Sequence, residues 1–117
     1  MESTDVVIRR DGTTIVAVVV LRRVTGTPAE DGMWQKIAAL LGPVNNGALV
    51  LECSQVQYIT SLGVGRLVTL AKQCREAHNR LVVRGLCPSL WQLFRILRLD
   101  MLLEIESDPA PGGGGPG

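Results

Sequence analysis

Aromatic side chains are scarce in this chain of 117 residues: Trp34, Tyr58, Trp91 and Phe94 are all it has. A core must therefore be assembled from Val, Leu, Ile and Ala within an apolar content of 46%, which suits an α/β sheet better than an aromatic-rich β-sandwich. A surplus of one charge sign is missing too. Basic side chains number 12 and acidic ones 11, and no basic block exceeds the pairs Arg9-Arg10 and Arg22-Arg23. Direct nucleic-acid binding would leave a clearer electrostatic footprint. The longest apolar run, residues 15 to 21, falls far short of the roughly 20 residues that span a bilayer. It reads as a buried strand, and no membrane partner is expected.

Histidine occurs once, at His78, and cysteine at Cys53, Cys74 and Cys87. Cys74 and His78 lie one helical turn apart, which is half a metal site at best, so no metal and no cofactor are expected. An odd number of scattered cysteines fits buried free thiols in a reducing compartment. Residues 1 to 5 show no cationic start followed by an apolar stretch, so the expected location is cytoplasmic. Gly63 and Gly65 are followed by no lysine at phosphate-loop spacing. His78 sits among polar neighbours at a helix end, and Cys74, a turn away, lies on the expected buried face, so no enzyme chemistry is expected.

What is present is a strong alternation of short apolar runs and amphipathic segments. Residues 5 to 9 and 14 to 21 flank Asp11-Gly12, a tight-turn dipeptide, and predict a hairpin. The second of these strands is nearly all β-branched, which predicts a central strand covered on both faces, with helices above and below the sheet or a helix layer plus another cover. Thr27-Pro28-Ala29-Glu30 predicts a helix start with a capping box, Thr27 capping and Glu30 reaching back. Met33, Trp34, Ile37, Ala38 and Leu41 then form its buried stripe, Asp31, Gln35 and Lys36 its exposed face, and Gly42-Pro43 its end. After a turn at Asn45-Asn46-Gly47, residues 48 to 53 predict a strand.

Residues 61 to 77 predict a second helix, with Val64, Leu67, Val68, Ala71 and Cys74 inward, ended near Asn79. Residues 81 to 83 predict a strand. Pro88-Ser89 opens a third helix with Leu90, Leu93, Phe94 and Leu97 inward and Trp91 and Ile96 off the stripe, and residues 102 to 105 predict a last short strand. The order is β-β-α-β-α-β-α-β: a single α/β domain over residues 1–107, with a mixed four- to five-stranded sheet and helices packed against it. Residues 108–117, almost wholly Pro, Gly and Ala, have nothing to bury and are expected to be a disordered tail.

The segment from Leu49 to Gly65 resembles the STAS domain of the anti-sigma-factor antagonist type, whose members carry a strand of the form VLDLSGV and then a loop of the form YIDSSGLG opening a helix. The likeness continues through Arg80 to Leu86, similar to the family's "grLvlvgl" strand, and through Leu97 to Ile105, similar to its closing "l.GLd.lf.i". In the family the first Ser of that loop is phosphorylated by a partner that is both serine kinase and anti-sigma factor, and a serine phosphatase removes the phosphate. The resemblance places that acceptor at Ser61, with Thr60 a second hydroxyl where the family's aspartate stands and Leu62 where its second hydroxyl stands.

The resemblance thus implies a regulatory protein-interaction module with no cofactor. Thr60, Ser61, Leu62, Gly63, Gly65 and Arg66 form the partner-binding surface, and either Ser61 or Thr60 is the phosphoacceptor. A non-switching scaffold, a homo-oligomer-forming subunit and a small-ligand or nucleotide sensor are the alternatives.

The residues support such a site on their own. Ser61 at the head of an amphipathic helix is expected to cap its first turn, where a phosphate of about −1.5 to −2 charge would meet free N–H groups and the favourable end of the dipole. Gly63 and Gly65 would leave the first turn uncluttered for a close approach. Arg66 is expected to pair with that phosphate or with a partner carboxylate.

Overall fold

The computed structural model describes residues 5–40 and 47–106. A hairpin opens the fold: β1 (Val6–Asp11) and β2 (Thr14–Val19) pair antiparallel around Gly12, which takes the positive φ of 65° that the turn demands. A single turn of 3₁₀ helix at Pro28–Glu30 leads into α1 (Asp31–Ala39). Then β4 (Ala48–Glu52), α2 (Ser61–Glu76), β6 (Arg80–Arg84), α3 (Pro88–Ile96) and β7 (Glu104–Ile105) alternate. Two short strands complete the set, β3 (Arg23–Val24) and β5 (Tyr58–Ile59), which pair with each other in parallel as a separate small sheet.

The main sheet runs β1-β2-β4-β6-β7, with every pair after the hairpin parallel. This order overturns the expectation of cover on both faces of β2. Each parallel strand is added on the same side of the last, and crossovers between parallel strands are right-handed, so each connecting helix is delivered to the same face. The burial pattern of β2 agrees, whereas at the centre of the sheet Val50 and Val82 are buried on the opposite face as well. In β2, Ile15, Ala17 and Val19 are buried while Thr14, Val16 and Val18 are only partly so. Ile15, Ala17 and Val19 join Leu49, Leu51, Leu81 and Val83 in one core with Met33, Trp34, Ile37, Leu67, Leu70, Phe94 and other buried residues of the three helices.

Several helix details also differ from expectation. In α2 the buried residues are Gly63, Leu67, Leu70, Ala71 and Cys74, with Val64 and Val68 at the margin. The stripe is rotated towards Leu70 because the helix turns its Gly63 edge onto β3. In α3 only Leu90 and Phe94 are buried, and Leu97 is 46% exposed. His78, not Asn79, takes the left-handed conformation after α2, at φ 60°. The Asn79 side chain is buried and accepts a bond from the Gly47 N–H at 2.9 Å, fastening the amino ends of β4 and β6 together. Leu41, Gly42-Pro43, Asn45-Asn46 and the tail 108–117 lie outside the described residues.

Candidate functional site

The loop that leaves β4 is drawn back beneath the helical layer by Val56, which is buried, and by the Arg22 carbonyl, which accepts from the N–H groups of Gln57 and Tyr58 at 2.7 and 3.1 Å. That pairing starts β5 against β3, and the Val24 carbonyl then accepts from the Thr60 N–H at 2.9 Å. The chain can turn into a helix only after this contact. Thr60 is therefore the last extended residue, with φ −85° and ψ 169°, and Ser61 is the first helical one.

This geometry corrects the expectation that Ser61 caps α2. The cap is Thr60, whose Oγ1 accepts from the Gly63 N–H at 3.1 Å and donates to the Thr25 carbonyl at 2.7 Å. Ser61 stands one position on, exposed, and no described group bonds its hydroxyl or the backbone N–H groups of Ser61 and Leu62. Beside it Leu62 is 63% exposed and Tyr58 is 53% exposed, with the Arg23 guanidinium 5.5 Å from the Tyr58 ring centre. Tyr58 and Arg23 were not foreseen as part of this surface. They become part of it through the β3–β5 pairing, of which two residues per strand give no periodic signal.

The 25–27 loop is the second wall. Gly26, at φ 72°, presses so close to α2 that a Cβ there would come within 2.5 Å of the Leu62 carbonyl carbon. Gly63 is equally constrained, because its Cβ would lie 2.7 Å from the Val24 carbonyl oxygen and 2.8 Å from the Ile59 side chain. Gly63 is thus a packing glycine buried against β3, and not part of an open approach. Gly65 is the exposed one, with free space around it.

Glu30 holds this loop, and here too the structure departs from the capping box. Thr27 makes no side-chain cap. The Glu30 carboxylate accepts instead from the N–H groups of Thr25 and Gly26 at 2.7 and 2.8 Å, from the Thr25 hydroxyl at 2.9 Å and from Trp34 Nε1 at 3.2 Å. Burial works to raise the Glu30 pKa, but the bonds from Thr25, Gly26 and Trp34 prevail and hold it below its ordinary value.

Arg66 is committed in the same way. Its Nε donates to the Gly26 carbonyl at 3.2 Å and its Nη2 to Asp31, so the guanidinium ties α2 to the loop and to α1 and is not free for a phosphate. Of the six residues expected to face a partner, Ser61, Leu62 and Gly65 are outward, whereas Thr60, Gly63 and Arg66 build the support beneath them.

Among the described residues no group of three or more His, Cys, Asp or Glu side chains could hold a metal ion. The Cys74 thiol is pushed up to about 11 by burial. No described helix is long and apolar enough to cross a membrane.

Residues 10–104 match the family described as Mlab, STAS domain. The chain belongs to the STAS domain family. Two curated relatives, anti-sigma-B factor antagonists of Listeria monocytogenes and Listeria innocua, are each 34% identical over 59 residues, which is 50% of this chain and 52% of theirs. The chain thus matches about half the length of these relatives. Among solved structures, a STAS domain protein of Planctomyces limnophilus, an anti-sigma-factor antagonist, superposes with a TM-score of 0.77 at 15% identity over 91% of this chain and 92% of that one. The anti-sigma factor antagonist SpoIIAA in its unphosphorylated form superposes with a TM-score of 0.66 at 13% identity over 89% of each chain. These superpositions show that the STAS fold extends over most of the chain.

Proposed function

We propose that the domain, residues 1–107, is a partner-switching module: it binds an anti-sigma factor that is also a serine kinase through the surface around Ser61, and phosphorylation of Ser61 releases that partner. The observation that carries this reading is the difference between two neighbouring hydroxyls. Thr60 Oγ1 is bonded on both sides, to the Thr25 carbonyl and the Gly63 N–H, while Ser61 is exposed between Tyr58 and Leu62.

A phosphate on Ser61 would rest beside the unpaired N–H groups at the head of α2, so the fold tolerates it. A partner packed on Leu62 and Tyr58 would instead have to desolvate a dianion, at a cost of several kcal/mol. A serine phosphatase resets the surface. Ligand sensing at the Ser61 loop has little support, since neither the core cavity of about 30 Å³ nor the groove beside Met101 is lined by Thr60, Ser61 or Leu62.

The test is to incubate the purified protein with ATP and an anti-sigma kinase of the same organism, follow intact mass, and measure partner binding. The expected result is the gain of one phosphoryl group on wild type and on Thr60→Ala but not on Ser61→Ala, with partner binding lost on modification. Absence of modification, with binding that Leu62→Asp still disrupts, would replace the switch by a non-switching scaffold.

A further inference from the structure

The large apolar side chains left exposed among the described residues fall in three places. Val7 and Val20 border the hairpin, Tyr58 and Leu62 belong to the surface around Ser61, and Ile96, Leu97 and Met101 cluster where α3 ends. Ile96 at 76% and Met101 at 70% are the most exposed of all. Because α2 and α3 both run from the carboxyl ends of the parallel strands back to their amino ends, this third cluster lies at the pole of the domain opposite Ser61. Isolated apolar residues on a surface need no explanation, but three of them within six positions do.

Two further features share that pole. Arg98 adopts the left-handed conformation at φ 58° between α3 and the 3₁₀ turn Leu99–Met101. Glycine fits that conformation without strain, and the family's closing pattern Gly-Leu-Asp reads Arg98-Leu99-Asp100 here. A strained arginine where glycine would serve singles out this position for a functional hypothesis. Next to Met101 runs a groove of about 390 Å³ whose lining includes Arg75, His78, Arg80, Asp100 and Glu104. Arg80 is neutralised by Glu104 through two bonds of 2.7 Å. Arg75, Arg95 and Arg98 join no ion pair among the described residues, and Arg95 lies over the Trp91 ring at 4.7 Å. The one lining carboxylate without a guanidinium partner is Asp100.

We propose that this pole is a second docking surface and that its occupant is an acidic amphipathic helix of a protein partner. Apolar side chains of that helix cover Ile96, Leu97 and Met101, while its flanking carboxylates meet Arg75, Arg95 and Arg98. A second copy of this chain fits poorly, since against three unpaired arginines it brings only one unpaired lining carboxylate, Asp100. A membrane surface fits poorly too: α3 has nine residues, too few for an interfacial helix with a broad apolar face. The proposal stands apart from the reading of Ser61 and survives its failure.

The test uses the full chain and a fluorescein-labelled helical peptide of roughly five turns, with leucines at i, i+3, i+4 and i+7 repeats and glutamates elsewhere; the control peptide carries lysine for every glutamate. Anisotropy is expected to show saturable binding of the acidic peptide, weakened by salt, and none of the lysine peptide. The Ile96→Asp/Met101→Asp double variant should weaken binding by about tenfold or more. Arg98→Gly should weaken it by about threefold while melting at or above the wild-type temperature, so that lost binding is not lost folding. Leu62→Asp should leave it unchanged. Amide shifts confined to residues 75–80 and 91–104 support the proposal. Equal binding of the lysine peptide, or shifts at residues 58–66 instead, would overturn it. So would a concentration-dependent dimer abolished by Ile96→Asp, or capture of the protein by phosphatidylglycerol vesicles lost in the same variant.

Discussion

The hydroxyl of Thr60 reaches across to the carbonyl of Thr25, 35 positions earlier in the chain, at 2.7 Å while also accepting from Gly63. One side chain thereby caps α2 and closes the gap between the two loops that frame Ser61.

Thr60→Ala removes a cap and leaves the Thr25 carbonyl without its donor. It should cost about 1 to 2 kcal/mol of stability in urea unfolding. Thr60→Ser should retain most of that, and Ser61→Ala should stay within about 0.5 kcal/mol of wild type. Equal losses at Thr60 and Ser61 would refute the assignment of the cap.

Gly26→Ala forces a Cβ to within 2.6 Å of the Gly63 nitrogen at a backbone conformation that already disfavours side chains. A loss of about 2 kcal/mol or more in stability is expected. Because α2 must shift to admit it, partner binding at Ser61 should weaken even in conditions where the variant is fully folded.

Glu30 has a folded pKa below its ordinary value of 4.5. The stability it contributes is thus fully present above that value and is lost as the pH falls through the lower, folded pKa. Glu30→Gln should be less stable than wild type at pH 7, with the difference shrinking as the pH is lowered below about 4.5. A gap that persists unchanged into the acid limb would show that the carboxylate charge is not what the loop uses.

The hairpin, the parallel strands and the three helices were legible in the sequence because each announces itself by a period or by a turn dipeptide such as Asp11-Gly12. The place of Ser61 at the head of α2 was legible from the apolar stripe that follows it. Which hydroxyl does the capping was not. Thr60 and Ser61 are adjacent, and the choice is made by β3, which holds Thr60 extended from across the fold. Glu30 was misread for a related reason: a Thr followed by Glu three positions on has the form of a capping box, yet the carboxylate is claimed by N–H groups upstream and by Trp34 downstream. Coverage of the sheet on one face follows from strand order, and strand order is not written in any local period.

Cys74 should resist alkylation. With its thiol raised to about 11 by burial, little thiolate exists at pH 8, so iodoacetamide should modify it much more slowly than a free cysteine until the domain is unfolded in urea. Rapid native labelling at Cys74 would contradict the packing of α2 on the sheet.

The pairing of β3 with β5 involves only two residues on each strand, whereas the five-stranded sheet is held by ladders of five or six residues at its centre. The platform under Ser61, like the β6–β7 edge, therefore has few ladder bonds to break, and it can open and reclose while the centre of the main sheet stays intact. In hydrogen exchange the amides of Gln57, Tyr58 and Thr60 should lose protection well before those of Val50 and Val82. A kinase that must draw Ser61 into its active site would then meet a segment able to leave its seat without unfolding the protein.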